Sequence, residues 1–150
     1  MSTISISTLQ RISPSTLASR LSSLQAPLSD SGSSIAVIDV RDSDYIGGHI
    51  LGCQNVPYAN LDWKMPELVR ELKNKDTVVF HCALSQQRGP SAALQYLRER
   101  ERLLSGEAGG EKNVQEVVVL DGGFTKWQET YGTDEKLTEG YLKDIWAFGG

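Results

Sequence analysis

Apolar positions fall into two rhythms along this chain. Leu17, Leu21 and Leu24 recur on one helical face, and Ser13 followed by Pro14 supplies a cap and a first-turn proline, so a helix is expected there. Ile35–Arg41 and Thr77–Cys82 are apolar almost without alternation, as strands covered on both faces of a parallel sheet are. Val114–Leu120 reads as a third such strand and Gln54–Tyr58 as a short one ended by Pro57. Helical patterns run over Leu61–Lys73, where Pro66 allows a restart, and over Pro90–Leu104, with Ala93, Leu94, Leu97 and Leu104 as the expected inner face. Gly122-Gly123 opens another helix through Trp127, while Ala26–Ser34 and Ser105–Asn113 read as loops. Strands alternating with helices predict an α/β fold with a parallel sheet and right-handed crossovers. Sites in such sheets lie beyond the carboxyl ends of the strands.

Length adds that 150 residues suit one domain. We expect a core over about residues 12–131. The tail, 132–150, carries Tyr141, Trp146 and Phe148 and is expected to pack on that core or near the site. Net charge is -4, which argues against a broad basic surface for nucleic acid or anionic membrane. No apolar run approaches the roughly 20 residues of a membrane span. The Ser/Thr-rich stretch Met1–Gln10 has no basic or apolar region of a secretory signal. Two cysteines, Cys53 and Cys82, make neither a disulfide framework nor a four-ligand zinc site. A reducing compartment, cytoplasm or nucleus, is therefore expected.

The chemistry concentrates in His81-Cys82-Ala83-Leu84-Ser85-Gln86-Gln87-Arg88-Gly89-Pro90. A buried strand ends at a cysteine, five residues follow, then an arginine, and a helix begins. Successive N–H groups from Ala83, Leu84, Ser85, Gln86, Gln87 and Arg88 can curl into a nest that holds a tetrahedral anion and favours a thiolate. Cys82 is the candidate nucleophile and Arg88 the two-pronged clamp. Ser85 is expected to donate its hydroxyl to the sulfur. His81 should face the other side of the strand and support the loop rather than act as a base.

These residues resemble a known family. Ile38–Arg41 with Gly48–Pro57 is similar to the N-terminal signature of the rhodanese-like fold, and Val118–Trp127 to its C-terminal signature, so the likeness covers roughly residues 35–127. It implies a central parallel five-stranded sheet flanked by helices. Sulfurtransferases of that family generally have a loop one residue shorter. The H-C-x-x-x-x-x-R form is that of the cell-division-cycle dual-specificity phosphatases and the eukaryotic arsenate reductases, and Ser85–Ala93 is especially similar to their small, single-domain fungal members.

The resemblance implies a cysteine-dependent phosphatase acting on phosphorylated protein or a small aryl phosphate through a cysteinyl-phosphate, with no cofactor or metal. The alternative is an arsenate reductase drawing electrons from glutathione or glutaredoxin. A sulfurtransferase or non-catalytic module is a third reading. Monomer or weak dimer are both open. Two departures stand out: the loop has no acidic residue, and Val40 stands where mitotic phosphatases carry a regulatory cysteine. The leaving-group acid is thus unassigned among Asp42, Asp44 and Asp121, with Asp121 and Asp39 read as structural. Arg41, Asp44 and His49 are expected to tie the first signature loop together. Cys53 is read as packing, with a resolving thiol as the alternative.

Overall fold

A computed structural model describes residues 5, 8–30, 32–104 and 115–147. The loop Ser105–Asn113, Val114 and Phe148 lie outside the described residues. Strands β1 (Arg11–Ile12), β2 (Ile35–Asp39), β4 (Gln54–Asn55), β5 (Thr77–His81) and β6 (Glu116–Leu120) form one sheet in the order β1-β6-β5-β2-β4. Every pairing in it is parallel. A second, antiparallel pair joins β3 (His49–Ile50) to β7 (Thr138–Glu139).

The twofold repeat of a strand splits the core between the two faces. Ile38, Val78, Phe80, Cys82, Val117 and Val119 belong to one buried cluster with helices α2 (Leu61–Leu72) and α3 (Arg88–Leu104). Ile35, Val37, Val79, Val118 and Leu120 belong to the other, with α1 (Pro14–Ser22) and α4 (Gly123–Tyr131). Both faces are covered, which is why β5 is buried at all five positions. At α1, the Ser13 side chain accepts the Thr16 N–H and Pro14 occupies the first turn.

Three elements differ from the sequence pattern. β1 has only two residues, too few for any periodicity to register, yet it supplies the fifth strand beside β6. α2 runs through Pro66 without a restart, after a 3-10 turn over Tyr58–Asn60. The fully buried positions of α3 are Gly89, Pro90, Ala92, Ala93 and Tyr96 rather than Leu94, Leu97 and Leu104. Tyr96 packs on Phe80 at 5.3 Å, and its hydroxyl donates to Gln115 at 2.7 Å, so a polar tip reaches a partner while the ring fills the core.

The C-terminal segment packs on the core. Trp127, fully buried, donates from Nε1 to the Thr138 hydroxyl at 2.9 Å. Trp146, on α5 (Lys143–Ala147), packs on Phe124 and donates to the Gly47 carbonyl at 2.9 Å. No helix among the described residues is long and apolar enough to cross a membrane.

Candidate active site

The loops that leave β2 and β5 start on neighbouring strands, so residues 40–48 and 82–88 meet at the carboxyl edge of the sheet. Cys82 follows β5 directly and is buried. Its sulfur accepts two backbone N–H groups, from Ser85 at 3.2 Å and Gly89 at 3.3 Å. Such donors favour the charged form of a sulfur over the neutral one. The N–H groups of Ala83, Leu84, Gln86, Gln87 and Arg88 donate to no group among the described residues. The loop therefore offers five unpaired backbone donors and one guanidinium within seven residues, the equipment for holding an oxyanion.

Ser85 does this differently from the expected hydroxyl-to-sulfur bond. Its backbone N–H takes the sulfur, while its hydroxyl oxygen accepts the Cys82 N–H at 3.4 Å. The cause is its backbone: Ser85 has φ +56° and is the only non-glycine residue with positive φ among the described residues. That conformation turns its amide inward. Gly89, absent from the sequence candidates, adds the second donor to the sulfur. A Cβ there would lie 3.2 Å from the His81 Cα and 3.3 Å from the Ser85 Oγ.

Arg88 opens α3, and both its terminal nitrogens fork onto Asp44, at 2.9 and 2.6 Å, with Asp42 at 3.3 Å. Asp44 does tie its own loop, accepting the Asp42 N–H at 2.9 Å, and it also crosses to Arg88. The hydrogen bond from Arg88 holds the Asp44 carboxyl down to about 2, and the same fork raises the arginine. Asp42 is itself pinned by the Ala59 N–H at 2.9 Å.

Beneath the loop lies a buried polar cluster. Arg41, Asp39 and His81 are all fully buried. Arg41 donates from Nε and Nη2 to the Asp39 carboxylate, with the shortest contact at 2.7 Å, and from Nη2 to the Gly48 carbonyl at 2.9 Å. Its guanidinium also lies 4.6 Å from the Phe124 ring centre. His81 donates from Nδ1 to the Cys82 carbonyl at 3.0 Å. Burial pushes its pKa down despite the Asp39 carboxylate 3.7 Å from Nε2, so the ring is neutral and acts as a strut. His49 lies away from the loop, paired with Glu139 at 3.0 Å and stacked on Tyr45.

The second motif caps the loop from the other side. Phe124 N–H donates to the Cys82 carbonyl at 3.0 Å and Thr125 N–H to the Ala83 carbonyl at 2.9 Å. A Cβ on Gly123 would come within 2.4 Å of the Ala83 oxygen, so only glycine lets α4 dock. Two signature segments thus converge on one cysteine loop, and the rhodanese-like domain family matches residues 21–130. The chain belongs to the rhodanese-like domain family.

Within it, the chain is 44% identical over 121 residues to the CDC25-like phosphatase YCH1 of Saccharomyces cerevisiae, covering 73% of this chain and 76% of that protein. It is 41% identical over 95 residues to arsenate reductase 2.2 of Oryza sativa subsp. japonica, covering 63% and 69%. The crystal structure of Saccharomyces cerevisiae Ygr203w, a homolog of single-domain rhodanese and the Cdc25 phosphatase catalytic domain, superposes with a TM-score of 0.72. Its identity is 36%, over 100% of this chain and 99% of that one.

Cys53 sits against the sheet face opposite Cys82 in this rhodanese-like domain. Burial pushes its thiol up to about 12, and the Tyr45 hydroxyl is its hydrogen-bond partner at 3.9 Å. Stoichiometric peroxide should therefore produce no Cys53–Cys82 disulfide in peptide mapping, only mono-thiol oxidation at Cys82. A Cys53–Cys82 cross-linked peptide from folded protein would show this to be wrong. Among the described residues no group of three His, Cys, Asp or Glu side chains is placed to hold a metal.

Proposed function

We propose that this chain is a cysteine-dependent phosphatase of the protein-tyrosine or dual-specificity type. The observation that carries the reading is the five-residue span between Cys82 and Arg88, with two N–H groups on the sulfur and five more unpaired around it. A sulfur held by two donors and flanked by five more is placed to face a tetrahedral anion in line. In the first step the Cys82 thiolate attacks phosphorus, an S–P bond forms, and the ester P–O bond breaks with its electron pair leaving on oxygen. In the second, water attacks the cysteinyl-phosphate, the thiolate departs, and inorganic phosphate is released. The backbone amides of Ala83, Leu84, Gln86, Gln87 and Arg88 and the Arg88 guanidinium hold the equatorial oxygens, while the Ser85 amide stays on the sulfur. This chemistry calls on no metal or cofactor, because the loop supplies the positive field.

The cysteine loop itself carries no carboxyl to give the leaving oxygen a proton. Asp44, the carboxyl beside Arg88, is held ionised down to about 2 by that arginine, which suits an anchor and disqualifies it as an acid near neutrality. Aryl phosphates, whose leaving groups need little help, are the favoured substrates, whether free or as phosphotyrosine. The purified protein is expected to hydrolyse an aryl phosphate at least about 10²-fold faster than an alkyl phosphate at pH 7, a general acid being worth that much. Equal turnover of the two would mean that an acid has been overlooked.

A second reading draws on the resemblance to the rice protein named an arsenate reductase. The same cradle then binds arsenate, and glutathione delivers the electrons after a cysteine–arsenic adduct forms. Assaying aryl-phosphate hydrolysis, glutathione-dependent arsenate reduction and thiosulfate-to-cyanide sulfur transfer on one sample, with Cys82→Ser as control, separates the readings. Sulfur transfer alone would overturn both; arsenate reduction alone would select the second.

A further inference from the structure

Arg11, on the first strand, hydrogen-bonds the cysteine loop. Its Nη1 donates to the Ser85 carbonyl at 3.1 Å across 74 residues of chain, and the same nitrogen lies 3.7 Å from Asp121. Ser85 is the residue whose positive φ turns its own N–H to the Cys82 sulfur. The next peptide unit, Ser85 to Gln86, is trans and planar, so its carbonyl and its N–H point in opposite directions. Fixing the oxygen on Arg11 consequently fixes the Gln86 N–H on the side facing away from Arg11. That N–H donates to no group among the described residues.

We infer that Arg11 is a positioning residue for the oxyanion cradle: it holds the Ser85 carbonyl outside the loop and thereby aims the Gln86 N–H at the bound anion. Without it, the Ser85 carbonyl has no hydrogen-bond donor among the described residues to resist rotation of this peptide. Rotation would withdraw one donor and turn a carbonyl oxygen, a negative dipole end, toward the anion. The loss is doubled because an attraction is exchanged for a repulsion. A guanidinium suits the task, being always charged and able to reach Ser85 and Asp121 together. Gln86 is exposed, so packing of its own side chain does not restrain this peptide from the far end.

The inference rests on the cradle binding an oxyanion, but not on hydrolysis, and its test uses anion protection rather than turnover. Cys82 is alkylated with iodoacetamide at fixed pH in rising inorganic phosphate, and labelling of Cys82 and Cys53 is followed separately by mass spectrometry. Phosphate should protect Cys82 in the natural protein. Arg11→Met, which keeps the aliphatic stem, should raise the half-protective concentration roughly tenfold or more. Arg11→Lys should restore it to within about threefold, since a donor and charge return. Cys53 labelling should stay slow in all three proteins, because its thiol, pushed up to about 12, offers little thiolate and lies on the other sheet face, so it reports on the fold rather than on the cradle.

Unchanged protection in Arg11→Met would overturn the inference. So would Arg11→Lys behaving like Arg11→Met, a rise in Cys53 labelling that tracks the loss, or absence of protection in the natural protein. Protection that follows the expected pattern in a protein inert toward aryl phosphates would sink the phosphatase reading while leaving the role of Arg11 intact.

Discussion

Cys82→Ser is expected to lower kcat/KM toward an aryl phosphate by at least about 10³-fold, and Arg88→Lys by roughly 10²–10³-fold. Serine preserves the size of the side chain in a site that is 3% exposed, so the loss reports on chemistry rather than packing. Two amide donors at 3.2 and 3.3 Å stabilise an anion on sulfur, but a hydroxyl at the same place stays protonated near neutrality and has no base beside it. His81 does not take that part, since its Nδ1–H is held by the Cys82 carbonyl and its Nε2 lies against the Asp39 carboxylate at 3.7 Å. For Arg88 the argument is geometric. Its terminal nitrogens are taken by Asp44 and Asp42, which leaves the Nε–H edge without a partner among the described residues and available to an anion. A lysine ammonium has no second edge; it can serve the carboxylates or the anion, not both in the same orientation. Steady-state kinetics on the two variants, with thermal unfolding to show that both remain folded, checks the pair. Retention of more than about a tenth of the activity by Cys82→Ser would remove the thiolate mechanism.

The parts of this site that the sequence shows plainly are those contained in one contiguous stretch. A buried strand, a cysteine, five residues, an arginine and a helix start are neighbours along the chain, and strand and helix patterns each depend on local periodicity. The parts it hides are made by residues far apart. Asp44 reaches Arg88 across 44 residues, and Arg11 reaches Ser85 across 74. For Asp44 a usable signal exists: β2 and β5 are adjacent parallel strands, so a carboxylate in the loop after one is near a cation in the loop after the other. For Arg11 there is none, because its strand is two residues long and pairs only through β6. Gly89 was hidden for another reason. Its contribution is a backbone N–H, which no residue identity advertises.

The largest expected effect on stability lies below the site. Arg41→Met should cost about 3–5 kcal/mol, because it strands the Asp39 carboxylate at zero exposure. For a chain of this size that lowers Tm by roughly 6–20 °C. Exposed pairs such as Lys126–Asp121 matter far less, since water already solvates both partners. Asp39 has no such recourse: its carboxylate accepts from the Arg41 side chain and from the Arg41 backbone N–H at 3.0 Å, with His81 alongside. Arg41 also joins β2 to the Gly48 carbonyl and to the Phe124 ring, so its removal loosens both signature segments where they meet the cysteine loop. Adding Asp39→Asn to Arg41→Met removes the stranded charge and should recover part of the loss, making the double variant less damaged than the two single effects added together. Thermal or denaturant unfolding of the four proteins measures this. If Arg41→Met melts within about 2 °C of the natural protein, less than 1 kcal/mol is at stake and the buried pair is not what holds the two signatures together.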